Sequence, residues 1–168
     1  MLWRKMRILY VVLLLSAVPV AAQKRGPSTP EERAKAVQLT RQLETDPLGK
    51  SAKDARNWLT LWLIEIPDMT VEFCTTFLAP LYESKKDFLT EVRIQPMYSQ
   101  AAFMIENPEK AKDRLTVFTA GLEGALKAYE AILKEKPKSR SAILDDLIAK
   151  RDRGELREYV QQTMPRCK

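Results

Sequence analysis

The chain has 168 residues, 45% of them apolar, 30% charged and 8% aromatic, and a formal net charge of +6. That suffices for one domain with a core but not comfortably for two, and the composition excludes wholesale disorder, a collagen-like chain and a multi-span membrane protein. No histidine occurs, which removes imidazole general bases, imidazole metal ligands and every Ser-His or Cys-His nucleophile.

Residues 1–22 read MLWRKMRILYVVLLLSAVPVAA. Arg4, Lys5 and Arg7 form a basic start, Ile8–Val20 an uncharged run of 13 residues, and Val20 and Ala22 the small residues of a cleavage site before Gln23. This is the layout of a secretory signal peptide. The run is shorter than the roughly 20 residues a spanning helix needs, so the expected product is exported, periplasmic or secreted, and not membrane-spanning after cleavage. Gln23–Ser28 reads as a flexible lead-in, and 29–168 as a single helical domain.

Thr29-Pro30-Glu31-Glu32 combines an N-cap, a proline at N1 and the glutamate of a capping box. The helix it opens carries Ala36, Leu39, Thr40 and Leu43 inward and stops at Asp46-Pro47-Leu48-Gly49. Ser51-Ala52-Lys53-Asp54 repeats the capping signature. The second helix sets Ala55, Trp58, Leu59, Trp62 and Ile66 on one face and Leu61, Leu63 and Ile64 elsewhere, so its apolar surface predicts a central position. Asp68 or Thr70 is expected to cap a third helix through Val71, Phe77 and Leu81, kinked or split at Pro80. A fourth runs from about Lys86 to Glu106, with Pro96 expected to break it.

Beyond Asn107-Pro108-Glu109, the residues Ala111, Leu115, Phe118, Leu122, Ala125, Tyr129 and Ile132 recur at alternating spacings of four and three. That is an a/d seam. Gly121 and Gly124, each costing about 1 kcal/mol inside a helix, mark either a turn or a close helix crossing. Pro137 terminates the segment, and two short helices follow, through Ile143–Ile148 and Leu156–Val160. No alternating β-run of useful length appears, and the linkers are short. The fold class is all-α: an antiparallel helical bundle or helical-hairpin array of about six to seven helices.

Cys74 and Cys167 are the only thiols. In an exported chain they are expected to pair, closing a loop worth roughly 4–5 kcal/mol by chain-entropy arithmetic. Their separation carries neither a redox nor a zinc spacing. Past residue 22 the balance is 25 basic to 22 acidic residues, and the excess lies at the C-terminal end, where Lys134, Lys136, Lys138 and Arg140 cluster. Interleaved acids favour a solvated helix end over an anion-binding patch, and the export signal speaks against a nucleic-acid partner.

Residues 121–139, GLEGALKAYEAILKEKPKS, place Ala125, Tyr129 and Pro137 in a small-x3-aromatic-x7-proline pattern. This resembles the second helix of a tetratricopeptide repeat. The resemblance covers this stretch alone, since Glu109, Lys112 and Asp113 depart from the first-helix pattern. It implies a helix hairpin that binds a peptide or a protein.

Without histidine, paired carboxylates could still perform acid-base work. Glu65, Asp68 and Glu72 lie close in sequence. Glu83-Ser84 resembles the glutamate-serine opening of the lytic transglycosylases, although the glycine-rich stretch expected downstream is missing. Glu109 and Asp113 suit a first helical turn, and Asp145-Asp146 a solvated face. Trp58 and Trp62 could line a ligand slot, but tryptophans on an apolar helix more often form core, and Met97 and Met104 are read as packing. No residue is assigned to catalysis, to a cofactor or to a metal. The expected function is non-enzymatic: a binding module for a protein or cell-envelope component, monomeric or homodimeric. The rivals are a carboxylate-based envelope hydrolase and self-assembly through the Ala111–Ile132 seam.

Overall fold

The computed structural model describes residues 25–78 and 89–167. The expected signal peptide, the kink or split expected at Pro80 with Leu81, Glu83-Ser84 and the expected helix start near Lys86 lie outside them. The described residues form six α-helices and no strand: α1 Pro30–Thr45, α2 Ala52–Glu65, α3 Leu89–Glu106, α4 Arg114–Glu135, α5 Ala142–Asp152 and α6 Leu156–Thr163. Among the described residues no helix is long and apolar enough to cross a membrane.

The capping box forms as the sequence predicts. The Thr29 hydroxyl accepts from the Glu32 N–H at 3.2 Å, and the Glu32 carboxylate accepts from the Thr29 N–H at 2.9 Å. Its expected repeat does not form: Ser51 makes no side-chain cap, and its hydroxyl accepts from Gln42 Nε2 at 2.7 Å. In the described part of the lead-in, Ser28 is buried and bonded to Asp68, and Arg25 pairs with both Glu32 and Glu65.

Over the described residues 67–78 the expected third helix does not form. Pro67–Cys74 is irregular, followed by one 3-10 turn, Thr75–Leu78. Asp68 spends its carboxylate on Ser28 and Arg33 instead of capping, and Thr70, Val71, Thr75 and Thr76 are β-branched and poor helix formers. Pro96, expected to break the next helix, lies inside an unbroken α3. Packing of α3 against both α1 and α4 outweighs the roughly 3 kcal/mol that an interior proline costs. Pro108–Lys110 is a 3-10 turn, so Ala111 falls outside α4, which starts at an Asp113 cap accepting from the Thr116 N–H at 3.2 Å.

The central helix is α4, not α2. It is buried from Val117 to Ile132 on most of its circumference, whereas α2 packs chiefly on α1 and leaves Leu61 and Ile64 in solvent. Phe118, Leu122, Ala125, Tyr129 and Ile132 are all buried in one core with Leu144, Leu147, Leu156 and Val160. The a/d seam is thus spent inside the chain and is not a free face for self-assembly. A second core joins Ala36, Leu43, Leu59, Trp62 and Tyr98. Cys74 and Cys167 are bonded, their Cα atoms 5.1 Å apart, which ties the Thr75–Leu78 turn to the C-terminal end.

The two internal glycines mark a close crossing. A Cβ on Gly121 would lie 2.8 Å from the Pro96 carbonyl oxygen, and one on Gly124 only 1.9 Å from Ser99 Oγ. Alanine normally gains about 1 kcal/mol over glycine in a helix. Here Gly124→Ala should instead destabilise by roughly 1–3 kcal/mol through overpacking. Gly26→Ala, where a Cβ meets nothing within 4 Å, should stay within about 0.5 kcal/mol of wild type. Urea unfolding midpoints decide the matter, and an unchanged or higher midpoint for Gly124→Ala contradicts the crossing.

Candidate functional site

The sequence-derived candidates separate in space. Trp58 and Trp62 stack on each other, with centroids 5.7 Å apart and planes 12° apart. Lys35 Nζ covers the Trp58 ring at 4.3 Å. Trp62 is buried in the second core. Neither ring lines the apolar groove beside them. Lys134, Lys136, Lys138 and Arg140 are exposed at the end of α4 and the turn after it. Arg140 reaches Asp145 at 3.3 Å, and Lys134 lines a cavity of about 330 Å³ with Lys127, Glu130 and Glu44.

Most of the described candidate carboxylates are engaged by separate partners. Glu65 accepts from Arg25 at 3.2 Å, Asp68 from Ser28 and Arg33, and Glu72 from Arg114 Nε at 2.8 Å. Asp113 caps α4, Glu109 is exposed on the turn before it, and Asp146 pairs with Lys150 at 3.5 Å. Asp145 accepts from the Tyr129 hydroxyl at 2.9 Å. Burial pushes that phenol up to about 12, so Tyr129 acts as a neutral donor binding α4 to the start of α5.

The site that stands out is an apolar groove of about 360 Å³ between the end of α2, the segment after it and the first half of α3. Leu63, Ile64 and Ile66 form one wall, Met69 and Val71 a second, and Ile94 and Met97 the third. Ile64, on its lining, is 75% exposed, and Leu61, one turn back on α2 and outside the lining, is 59% exposed. At the base the Thr60 and Tyr98 hydroxyls meet at 2.7 Å, and the Tyr98 hydroxyl donates to the Arg56 carbonyl at 3.2 Å. Burial raises the Tyr98 pKa, which keeps that hydroxyl neutral. An apolar concavity with one hydroxyl pair at its base suits a ligand group that is mostly apolar.

Trp58 and Trp62 pack as core, the reading the sequence favours, and the groove lies on a neighbouring side of α2 that the sequence reading did not single out. The tryptophans mark its packed side, whereas Thr60, Leu63 and Ile64 occupy the neighbouring side. The available signal was Leu61 and Ile64, apolar residues three apart and off the core stripe.

No protein-family model, no curated protein and no solved structure matches this chain.

The wall formed by Met69 and Val71 is anchored upstream by Asp68, whose Oδ1 accepts from the Ser28 N–H at 2.8 Å and whose Oδ2 accepts from the Ser28 hydroxyl at 2.8 Å and Arg33 at 2.7 Å. The Ser28 amide foremost, then Arg33 and the Ser28 hydroxyl, hold this acid down to about 2. A folded-state value below the unfolded one means stabilisation that is complete above pH ~4 and lost as the pH falls toward 2. The urea midpoints of wild type and Asp68→Asn should therefore differ at pH 6 and converge by pH 2. A gap that stays constant over that range contradicts the anchor.

Proposed function

We propose that this chain is an exported helical binding module whose α2–α3 groove receives an apolar side chain of a protein partner in the cell envelope or outside the cell. The observation that carries this reading is the groove itself, with Ile64 bare at its mouth and two hydroxyls at its base. Residues 1–22 support export by their signal-peptide layout, and the Cys74–Cys167 bond is compatible with an oxidising compartment. The local resemblance of residues 121–139 to a tetratricopeptide-repeat helix agrees with a peptide- or protein-binding role. The exposed Lys134–Arg140 cluster is read as solvated surface.

Photo-crosslinking in the native cell tests the reading. A chain with Ile64→p-benzoylphenylalanine should arrive outside the cytoplasm starting at Gln23 and yield a saturable crosslinked partner. Ile64→Glu should lower recovery of that partner by about ten-fold, whereas neutralising Lys134, Lys136, Lys138 and Arg140 should change it by no more than about two-fold. Absence of a saturable crosslink, or the reverse ranking of the two substitutions, contradicts the groove as the binding site.

A further inference from the structure

After α2 the chain runs without regular structure to the Thr75–Leu78 turn, and no residue from Pro67 to Thr76 is buried. It crosses α3 as a strap. On one side Met69, Thr70 and Val71 wall the apolar groove, and on the other Thr70 and Glu72 wall a cavity of about 290 Å³. One helix serves both spaces: α3 gives Ile94 and Met97 to the first, and Gln100 and Met104 to the second. The strap thus divides a longer cleft along α3.

The strap is gripped at its middle by groups suited to an extended peptide. Gln100, 2% exposed, accepts the Glu72 backbone N–H on Oε1 at 3.3 Å and donates from Nε2 to the Glu72 carbonyl at 3.1 Å. One side-chain amide satisfies both main-chain groups of a single residue, a contact indifferent to which residue presents them. Arg114 forks over the Glu72 carboxylate, with Nε at 2.8 Å and Nη2 at 2.5 Å. Lys112 and Arg114 both line the cavity, and the sole carboxylate among its lining residues is Glu72, which the strap itself brings. With the strap lifted, the Arg114 guanidinium and the buried Gln100 carboxamide lose their partners beside Lys112, and the buried amide is costly to leave unpaired until a similar segment replaces the strap.

We propose that this cleft is a binding site for an acidic peptide in extended conformation, that residues 67–76 fill it as a built-in strap, and that the Cys74–Cys167 bond controls the exchange. The disulfide lies two residues from Glu72 and holds it against Gln100 and Arg114. A dithiol reductant releases it: the protein S–S bond breaks, each cysteine sulfur takes up an electron and a proton, and the dithiol closes to its own disulfide. The turn beyond stays anchored, since Phe77 and Leu78 are buried and the Tyr159 hydroxyl donates to the Phe77 carbonyl at 3.1 Å. The strap's Met69, Thr70 and Val71 also wall the groove of the proposed function, whereas Gln100 and Arg114 line only the cavity beside Glu72, so Arg114→Gln reads this site and Ile64→Glu reads the groove.

The probe is a fluorescein-labelled synthetic peptide with the sequence of residues 68–76 carrying Cys74→Ser, and fluorescence anisotropy is read against the exported chain. Binding should be at least about ten-fold tighter to the dithiothreitol-reduced chain and to the Cys74→Ser/Cys167→Ser variant than to the oxidised chain. It should be lost in the reduced chain carrying Arg114→Gln, and with a peptide carrying Glu72→Gln. If circular dichroism shows that reduction melts the helices, the oxidised Glu72→Gln chain carries the test, and it should bind the probe more tightly than oxidised wild type. A folded reduced chain with no gain in affinity, or no effect of either charge removal, overturns the proposal. So does an oxidised Glu72→Gln chain that binds no better than wild type.

Discussion

Where α1, α3 and α4 meet, a missing Cβ at Gly124 admits Ser99 Oγ and the Glu44 carboxylate into space that any other residue would fill. Glu44 is 3% exposed, and leaving such a charge unpaired costs on the order of 3–5 kcal/mol. Ser99 Oγ donates to it at 2.8 Å, Arg41 Nη1 at 2.5 Å, and Gln95 Nε2 donates in turn to Ser99 at 3.2 Å. Apolar packing alone would tolerate some rotation of α3 about its axis. A directional network tolerates far less. With α3 fixed in rotation, Ile94 and Met97 must face the apolar groove, and Gln100 and Met104 the cavity beside Glu72.

The two cores divide the remaining tasks. The α4–α6 core buries the seam from Phe118 to Ile132 together with Phe77 and Leu78, and the disulfide fastens that turn to the C-terminal end of the chain. The smaller core of α1, α2 and the middle of α3 contains many alanines, among them Ala36, Ala52, Ala55 and Ala101, which lets three helices approach closely. Among the described residues its outer helix, α2, leaves Leu61 and Ile64 exposed, and Ile64 lines the groove. Function on this reading lies at the thinly covered side of the molecule, next to a segment held by polar contacts and one covalent bond.

Local chemistry was the readable part of the sequence. The Thr29–Glu32 capping box, the helical seam, the proline stops and the pairing of Cys74 with Cys167 each depend on a few neighbouring residues or on there being only two thiols. The misjudged elements depend on tertiary partners. Pro96 remains inside a helix because neighbours on two sides hold α3, and Asp68 fails to cap because Ser28 and Arg33, 40 and 35 residues away, claim its carboxylate. The same holds for the site. Trp58 and Trp62 drew notice as large aromatics, yet they stack inward, while the groove combines α2 with Met69, Val71, Ile94 and Met97, residues that sequence spacing does not bring together. Glu65, Asp68 and Glu72 look like a carboxylate cluster in the sequence and become three separate polar contacts in the fold.

The claim on which the rest turns is that Glu44 and Ser99 act as a unit joining α1 to α3. A double-mutant cycle of Glu44→Gln and Ser99→Ala, read from urea unfolding free energies, measures it directly. Cooperation across the junction predicts a coupling of roughly 1–3 kcal/mol, whereas additivity within about 0.5 kcal/mol would mean that packing alone orients α3.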